Sequence, residues 1–225
     1  MPAKTALIAP LGLTPGVVTA TIHALAQRDA KPDIVYTLST AADEAKRASR
    51  IVSRYLERLD IHRHEARFLP GGVEDIMAQA VAVFQTALND VLNEVMSLRA
   101  SGEIERVIVS VAGGRKTMSA LVAVTAQFHP IDHLYDLWVD GEVERTHKTP
   151  AEILDHLELE LDRRTDAEIA WLKPKPDQYQ LIPLPLLPLP NIYEGVAAIN
   201  NVNLLPRSGD GDAPYTLNIG VSMTT

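Results

Sequence analysis

Short apolar, β-branched runs alternate with longer stretches of helical spacing along most of this chain. The first run, Thr5-Ala6-Leu7-Ile8-Ala9, ends at Pro10 and Gly12, and residues 17–28 then carry apolar positions at helical intervals. A second strand is predicted from Asp33 to Leu38, with Ser39-Thr40 as a cap before a charged amphipathic helix over 42–59. A short strand at 66–69 closes on Pro70-Gly71-Gly72. A long helix over 73–99 follows, apolar at Ile76, Ala80, Val83, Ala87, Val91 and Val95. A strand over 106–111, a helix over 117–128 and a strand from His133 to Val139 complete the series.

Strand–helix alternation of this kind predicts an α/β fold, a Rossmann-like open, mainly parallel sheet flanked by helices, because parallel neighbours need helical crossovers. Residues 1–150 form that domain. Residues 151–225 form a C-terminal extension, expected to pack on the same domain. It starts with a helix over 151–161, after an Asp140-Gly141 hairpin signal. Four prolines within 181–190 rule out a helix or a central strand there and predict an extended, polyproline-like strap on an apolar surface. The last two dozen residues, with Ser208-Gly209-Asp210-Gly211-Asp212, read as loop or tail.

In open sheets of this class a ligand sits beyond the carboxyl ends of the strands, where strand order reverses. Two loops are therefore of interest, 10–16 and 112–117. The second lies in Ser110-Val111-Ala112-Gly113-Gly114-Arg115-Lys116-Thr117-Met118. Adjacent glycines let the backbone approach a ligand closely. The helix that follows offers free N–H groups and a positive dipole end. Arg115 and Lys116 add charge, and Ser110 and Thr117 add hydroxyls, so the segment reads as a phosphate cradle. It is not a Walker A loop, since Arg115 stands where that motif needs glycine, nor a G-x-G-x-x-G turn, since Gly113 and Gly114 are adjacent. The plainer reading is a strand-to-helix turn with two solvated cations.

Charge narrows the ligand. With 225 residues, 46% hydrophobic and 22% charged, the chain has an ordinary globular composition, and its net charge is −8. An acidic protein is not expected to coat DNA or RNA. Anion binding must be local, which favours a small phosphorylated ligand. The absence of cysteine excludes disulfides and thiolate chemistry. No basic leader or long apolar span is present, so a soluble cytoplasmic protein without membrane contact is expected.

Leu11-Gly12-Leu13-Thr14-Pro15-Gly16-Val17-Val18-Thr19, taken with residues 110–118, resembles the CARF proteins, the CRISPR-associated Rossmann-fold sensors, and in particular a small stand-alone family beside type III CRISPR loci. The resemblance covers about the first 150 residues. It implies a homodimer whose two-fold axis passes over the strand ends, and a cyclic tetra- or hexa-adenylate ligand. Gly113, Gly114, Arg115, Lys116 and Thr117 would grip phosphate and ribose, while Gly12, Leu13, Thr14 and Pro15 would shape the other wall. No cofactor or metal is implied. A pocket of this family can also cut the ring, the ribose 2′-OH attacking its own phosphate. Lys116 would then stabilise charge, Arg115 would hold the adjacent phosphate, and Ser110 or Thr117 would orient the ribose. The alternative is a non-catalytic sensor that regulates another protein. For the Arg-x4–6-His pattern of RNA-cleaving partners, Arg145–His147 is too close and Arg50–His62 too far.

Other residues have simpler readings. His62 and His64 share a strand face, as a metal pair or, more simply, as a solvated edge. His129 and His133 flank a helix-to-strand turn at Pro130, and His147 could cover a pocket. Asp43-Glu44 suits a helix start, Trp138 and Trp171 suit a core or an interface, and Tyr36 could stack on a base or pack in the core.

Overall fold

The structure, a computed structural model, describes residues 4–69, 78–140, 149–162 and 171–186. Its strands are β1 (Thr5–Pro10), β2 (Ile34–Thr40), β3 (Arg63–Leu69), β4 (Arg106–Ser110), β5 (His133–Val139) and β6 (Tyr179–Leu184). Its helices are α1 (Pro15–Ala26), α2 (Asp43–Arg58), α3 (Ala78–Ala100), α4 (Lys116–Ala126) and α5 (Pro150–Asp162). The strands form one sheet in the order β3-β2-β1-β4-β5-β6, parallel except for β6, which runs antiparallel to β5. This is the Rossmann-like α/β sheet expected from the alternation.

Continuous apolar runs make strands buried on both faces, and β1 is buried at every position. One core lies between the sheet and α1, α2 and α5, around Leu7, Val35, Ile51, Leu56, Leu154 and Leu157. The other lies under α3 and α4, around Ile8, Leu38, Leu88, Leu92, Val109 and Val122. On α3 the buried stripe is Phe84, Leu88, Val91, Leu92 and Val95. Val83, expected on the buried face, is 37% exposed, and Ile76 lies outside the described residues.

Two aspartates fasten the lower ends of the half-sheets in the same way. Asp33 Oδ2 accepts the Thr5 N–H at 2.7 Å. Asp132 Oδ2 accepts the Val107 N–H, also at 2.7 Å.

The described part of the extension, α5 and β6, packs against α2 and the sheet. Thr149 and Glu152 form a reciprocal capping box that starts α5, with Thr149 N donating to Glu152 Oε2 at 2.7 Å and Glu152 N to Thr149 Oγ1 at 3.3 Å. Arg47 pairs with Asp155 and with Glu158 (2.7 Å), and Arg54 pairs with Asp162 (2.7 Å). Such rim pairs contribute ~0–1 kcal/mol each. Burying Leu154, Leu157 and Leu161 contributes about 1.5–3 kcal/mol apiece, so apolar contact holds α5 and the arginines set its register.

Residues 179–184 are not a polyproline strap. They form an edge strand, with Pro183 opposite Tyr135, where a proline's missing N–H is tolerated. Residues 187–190, the Asp140-Gly141 turn beyond Asp140, and the tail lie outside the described residues. The third strand starts at Arg63 rather than Ala66. Its charged residues are held by ion pairs, Arg63 with Glu103 at 2.8 Å and Arg67 with Glu94 at 2.7 Å.

His64 is not half of a metal pair. Its Nε2 and Nδ1 bridge the hydroxyls of Thr37 (2.8 Å) and Ser53 (2.9 Å), while His62 is exposed ahead of β3. Burial lowers the His64 imidazole to about 4 from the ordinary 6.5. Below pH 6.5 the unfolded chain therefore gains a proton that the folded chain resists. Stability falls as pH drops from 6.5 towards 4, by about 2–3 kcal/mol at the lower end. Urea titrations across that range should show His64→Gln with a flatter pH profile than the parent; parallel profiles would contradict the assignment.

Candidate functional site

The strand order reverses between β1 and β4, so their carboxyl ends open the crevice of the sheet. Both predicted loops lie there and touch. A Cβ added to Gly12 would stand 3.2 Å from both Cα and N of Gly114. Gly113, at φ +96, has the Pro10 carbonyl oxygen only 2.6 Å from where its Cβ would be. Side chains at these positions would force the two loops apart.

Neighbouring strands pin the loops. Leu11 N donates to Leu38 O (2.8 Å), and Ser39 Oγ donates to Leu11 O (2.7 Å). On the other side, Val111 N donates to Tyr135 O (2.8 Å), and Ser119 Oγ donates to Gly113 O (3.1 Å). Ser39, expected to cap α2, instead lies in β2 and holds Leu11, while Ala42 is that helix's N-cap; Ser119 and Met118, whose sulfur would lie 3.3 Å from a Cβ on Gly114, support the other turn.

Two helices start at this crevice. Thr14 is the N-cap of α1 and Arg115 that of α4; both have extended backbones, and neither helix has a side-chain cap bond or an acid in its first turn. The third helix at the same end, α2, begins with Asp43 and Glu44. Its dipole is already met by its own carboxylates, whereas α1 and α4, whose N-caps flank the crevice, carry no acid to compete with an anion.

The candidate residues are not equivalent. Gly114, Arg115 and Lys116 are exposed, Thr117, Gly113 and Gly12 are half-buried, Leu13 is exposed, and Pro15 is buried at the first helical position. Ser110 is completely enclosed, and its Oγ accepts the Ala112 N–H at 3.2 Å. Its hydroxyl serves the turn.

Tyr36 is core, not a stacking platform. It is wholly buried, its hydroxyl donates to Glu94 Oε1 at 2.9 Å, and burial, followed by that carboxylate, pushes it up to about 12. His129 Nε2 lies 3.4 Å from Asn89 Oδ1, and burial lowers its pKa. His133 stacks on Tyr135. Trp138 is half exposed on β5, Trp171 packs against the core, and His147 lies outside the described residues. Among the described residues no cluster of three or more His, Asp or Glu could hold a metal ion, and no helix is long and apolar enough to cross a membrane. What the crevice offers is shape, open backbone donors and positive charge.

Comparison with known proteins places this architecture. A profile of the family described as CRISPR-associated protein NE0113 (Cas_NE0113) matches residues 14–203, most of the chain and both glycine-rich turns' helix starts. Among solved structures, protein VC1899 from Vibrio cholerae is similar over 59% of this chain and 30% of its own, with 10% identity and a TM-score of 0.41. Enterococcus italicus Csm6 bound to cyclic hexa-2′-fluoro-hexa-dAMP is similar over 86% and 44%, with 14% identity and a TM-score of 0.49. Type III effector protein XopQ complexed with adenosine diphosphate ribose is similar over 73% and 53%, with 17% identity and a TM-score of 0.35. The chain thus spans about half or less of each of these proteins. No curated protein matches it. With the profile match covering well over half its length, this chain belongs to the CRISPR-associated protein NE0113 family.

Proposed function

We propose that this protein binds a cyclic oligoadenylate, a messenger of type III CRISPR defence, in the crevice between β1 and β4, with two copies of the chain sharing one ring. The observation that carries this reading is the convergence of two glycine-built loops with two acid-free helix starts and the Arg115-Lys116 pair at the switch point. In an acidic chain such a concentration of positive potential suits a compact, repeating phosphate ligand. Membership of a CRISPR-associated family and the CARF-like motifs support the adenylate ring as that ligand.

Sharing by two copies is supported by α4. From Thr117 to Phe128 the chain has no charged residue, yet Val124 on α4 is 57% exposed and Phe128, just past its end, 42%. A helix apolar on its outer side calls for a partner. A symmetric partner along α4 would bring two cradles under one two-fold ring.

Such a site could open the ring as well as hold it. In-line attack by a ribose 2′-OH on its own phosphate gives a 2′,3′-cyclic phosphate and a free 5′-OH. It needs the reacting atoms aligned and the developing charge met. On this reading Lys116 meets that charge, Arg115 holds the neighbouring phosphate and Thr117 orients the ribose. Binding without cleavage is the second reading, favoured by the enclosed Ser110 hydroxyl, which leaves one fewer group to hold the ribose.

Incubation with cyclic tetra- and hexa-adenylate in the presence of chelator, followed by chromatography, separates these outcomes. Linear products ending in 2′,3′-cyclic phosphate establish cleavage. Tight binding of an intact ring leaves a sensor, and binding of neither ring removes the proposal. A strictly monomeric mass with ring bound would remove the shared site.

A further inference from the structure

We propose that the segment from Trp171 to Leu181 is a positioning clamp for α1, and that the Trp171 carbonyl seated on Gly16 sets where the open start of that helix stands relative to the bound anion. This rests on the ring-binding reading and adds to it a part of the chain outside both loops.

The geometry holds α1 at its two ends. At its start, a Cβ on Gly16 would lie 2.0 Å from the Trp171 oxygen and 3.2 Å from its carbonyl carbon. The obstacle is backbone and cannot swing aside, so glycine is required there for contact rather than for conformation. At its far end, Gln27 Nε2 donates to the Tyr179 hydroxyl (3.0 Å), and Arg28 Nη2 donates to Leu181 O (3.2 Å). The clamp itself is anchored: Leu172 is fully buried and Leu181 nearly so. Two residues before Gly16, Thr14 is the N-cap of α1, without a side-chain cap bond. Any shift of the Trp171 carbonyl moves this helix start, and the loop carrying Leu13 with it.

A helix start contributes to anion binding only within its first turn, and misplacement of a binding group by about 1 Å can cost on the order of a hundred-fold. Gly16→Ala should therefore weaken binding of cyclic tetra- or hexa-adenylate, whichever the parent binds, by roughly ten- to a hundred-fold, with its salt dependence unchanged because no cation is lost. Trp171→Phe keeps the carbonyl and should bind within about two-fold of the parent, since the contact is made by the main chain. A side-chain packing role predicts the opposite order.

A second measurement covers the case in which Gly16→Ala does not fold. Trp138 and Trp171 are the two tryptophans of the chain, so Trp138→Phe leaves Trp171 as the sole reporter, and its emission should shift as the ring saturates the site. A chain that binds the ring with silent Trp171 emission, or with Gly16→Ala folded and binding at parental affinity, overturns the clamp and leaves the binding site standing. A parent chain that binds neither ring overturns both.

Discussion

Replacing Lys116 with alanine is expected to raise the dissociation constant for a cyclic oligoadenylate by roughly 10²–10⁴-fold and to leave the fold untouched. A charge-assisted contact is worth about 1.5–3 kcal/mol, and a ring shared by two copies loses two of them. Lys116 is exposed in the first turn of α4, a position where alanine is an equally good or better helix former. Thermal unfolding of the variant should match the parent while isothermal titration shows the loss. The parent's affinity should also fall more steeply with added salt than the variant's, because the missing interaction is the screened one. Parental affinity in Lys116→Ala would show that the Lys116 charge takes no part in binding.

The second large effect is on the scaffold. Gly113→Ala should cost about 2–4 kcal/mol, since strained backbone alone costs about 1–3 kcal/mol and a methyl group 2.6 Å from the Pro10 carbonyl oxygen adds a clash with main chain. For a chain of this size that lowers the melting temperature by roughly 5–15 °C. Gly102 supplies the control. It also has positive φ, +78, but nothing lies within 4 Å of its would-be Cβ. Gly102→Ala should cost about 1–2 kcal/mol. Equal melting temperatures for the two variants would mean that the close approach of the loops has no energetic weight.

The sheet and its switch point are legible in the sequence because buried parallel strands write themselves as apolar runs between amphipathic helices. The fifth strand, His133–Val139, matches its predicted span. Residues whose role depends on what lies opposite them are not legible this way. The start of β3 at Arg63-His64-Glu65 carries no apolar run to mark it, and what holds it is pairing with Glu94 on α3 and with Glu103 just past the end of that helix. Tyr179-Gln180-Leu181-Ile182 alternates as a strand should, but the prolines that follow hide it, and only its place at the sheet edge makes Pro183 acceptable. Ser110 reads as a ligand hydroxyl because the turn that encloses it is a three-dimensional fact. Both loops of the cradle could be named from glycines and charges, whereas the contact that requires Gly16 comes from a residue 155 positions later.

The two ends of the sheet carry one more consequence. On one side, β3 presents Arg63, Glu65 and Arg67; on the other, β6 carries Pro183. Alternating charge and a missing amide donor both discourage a further strand from adding on. Copies of this protein are thereby turned away from open-ended, fibre-like stacking through their sheets. In a pair formed along α4 as proposed, a symmetric contact would close on itself after two molecules, and the size of that assembly would be limited before any ligand arrives.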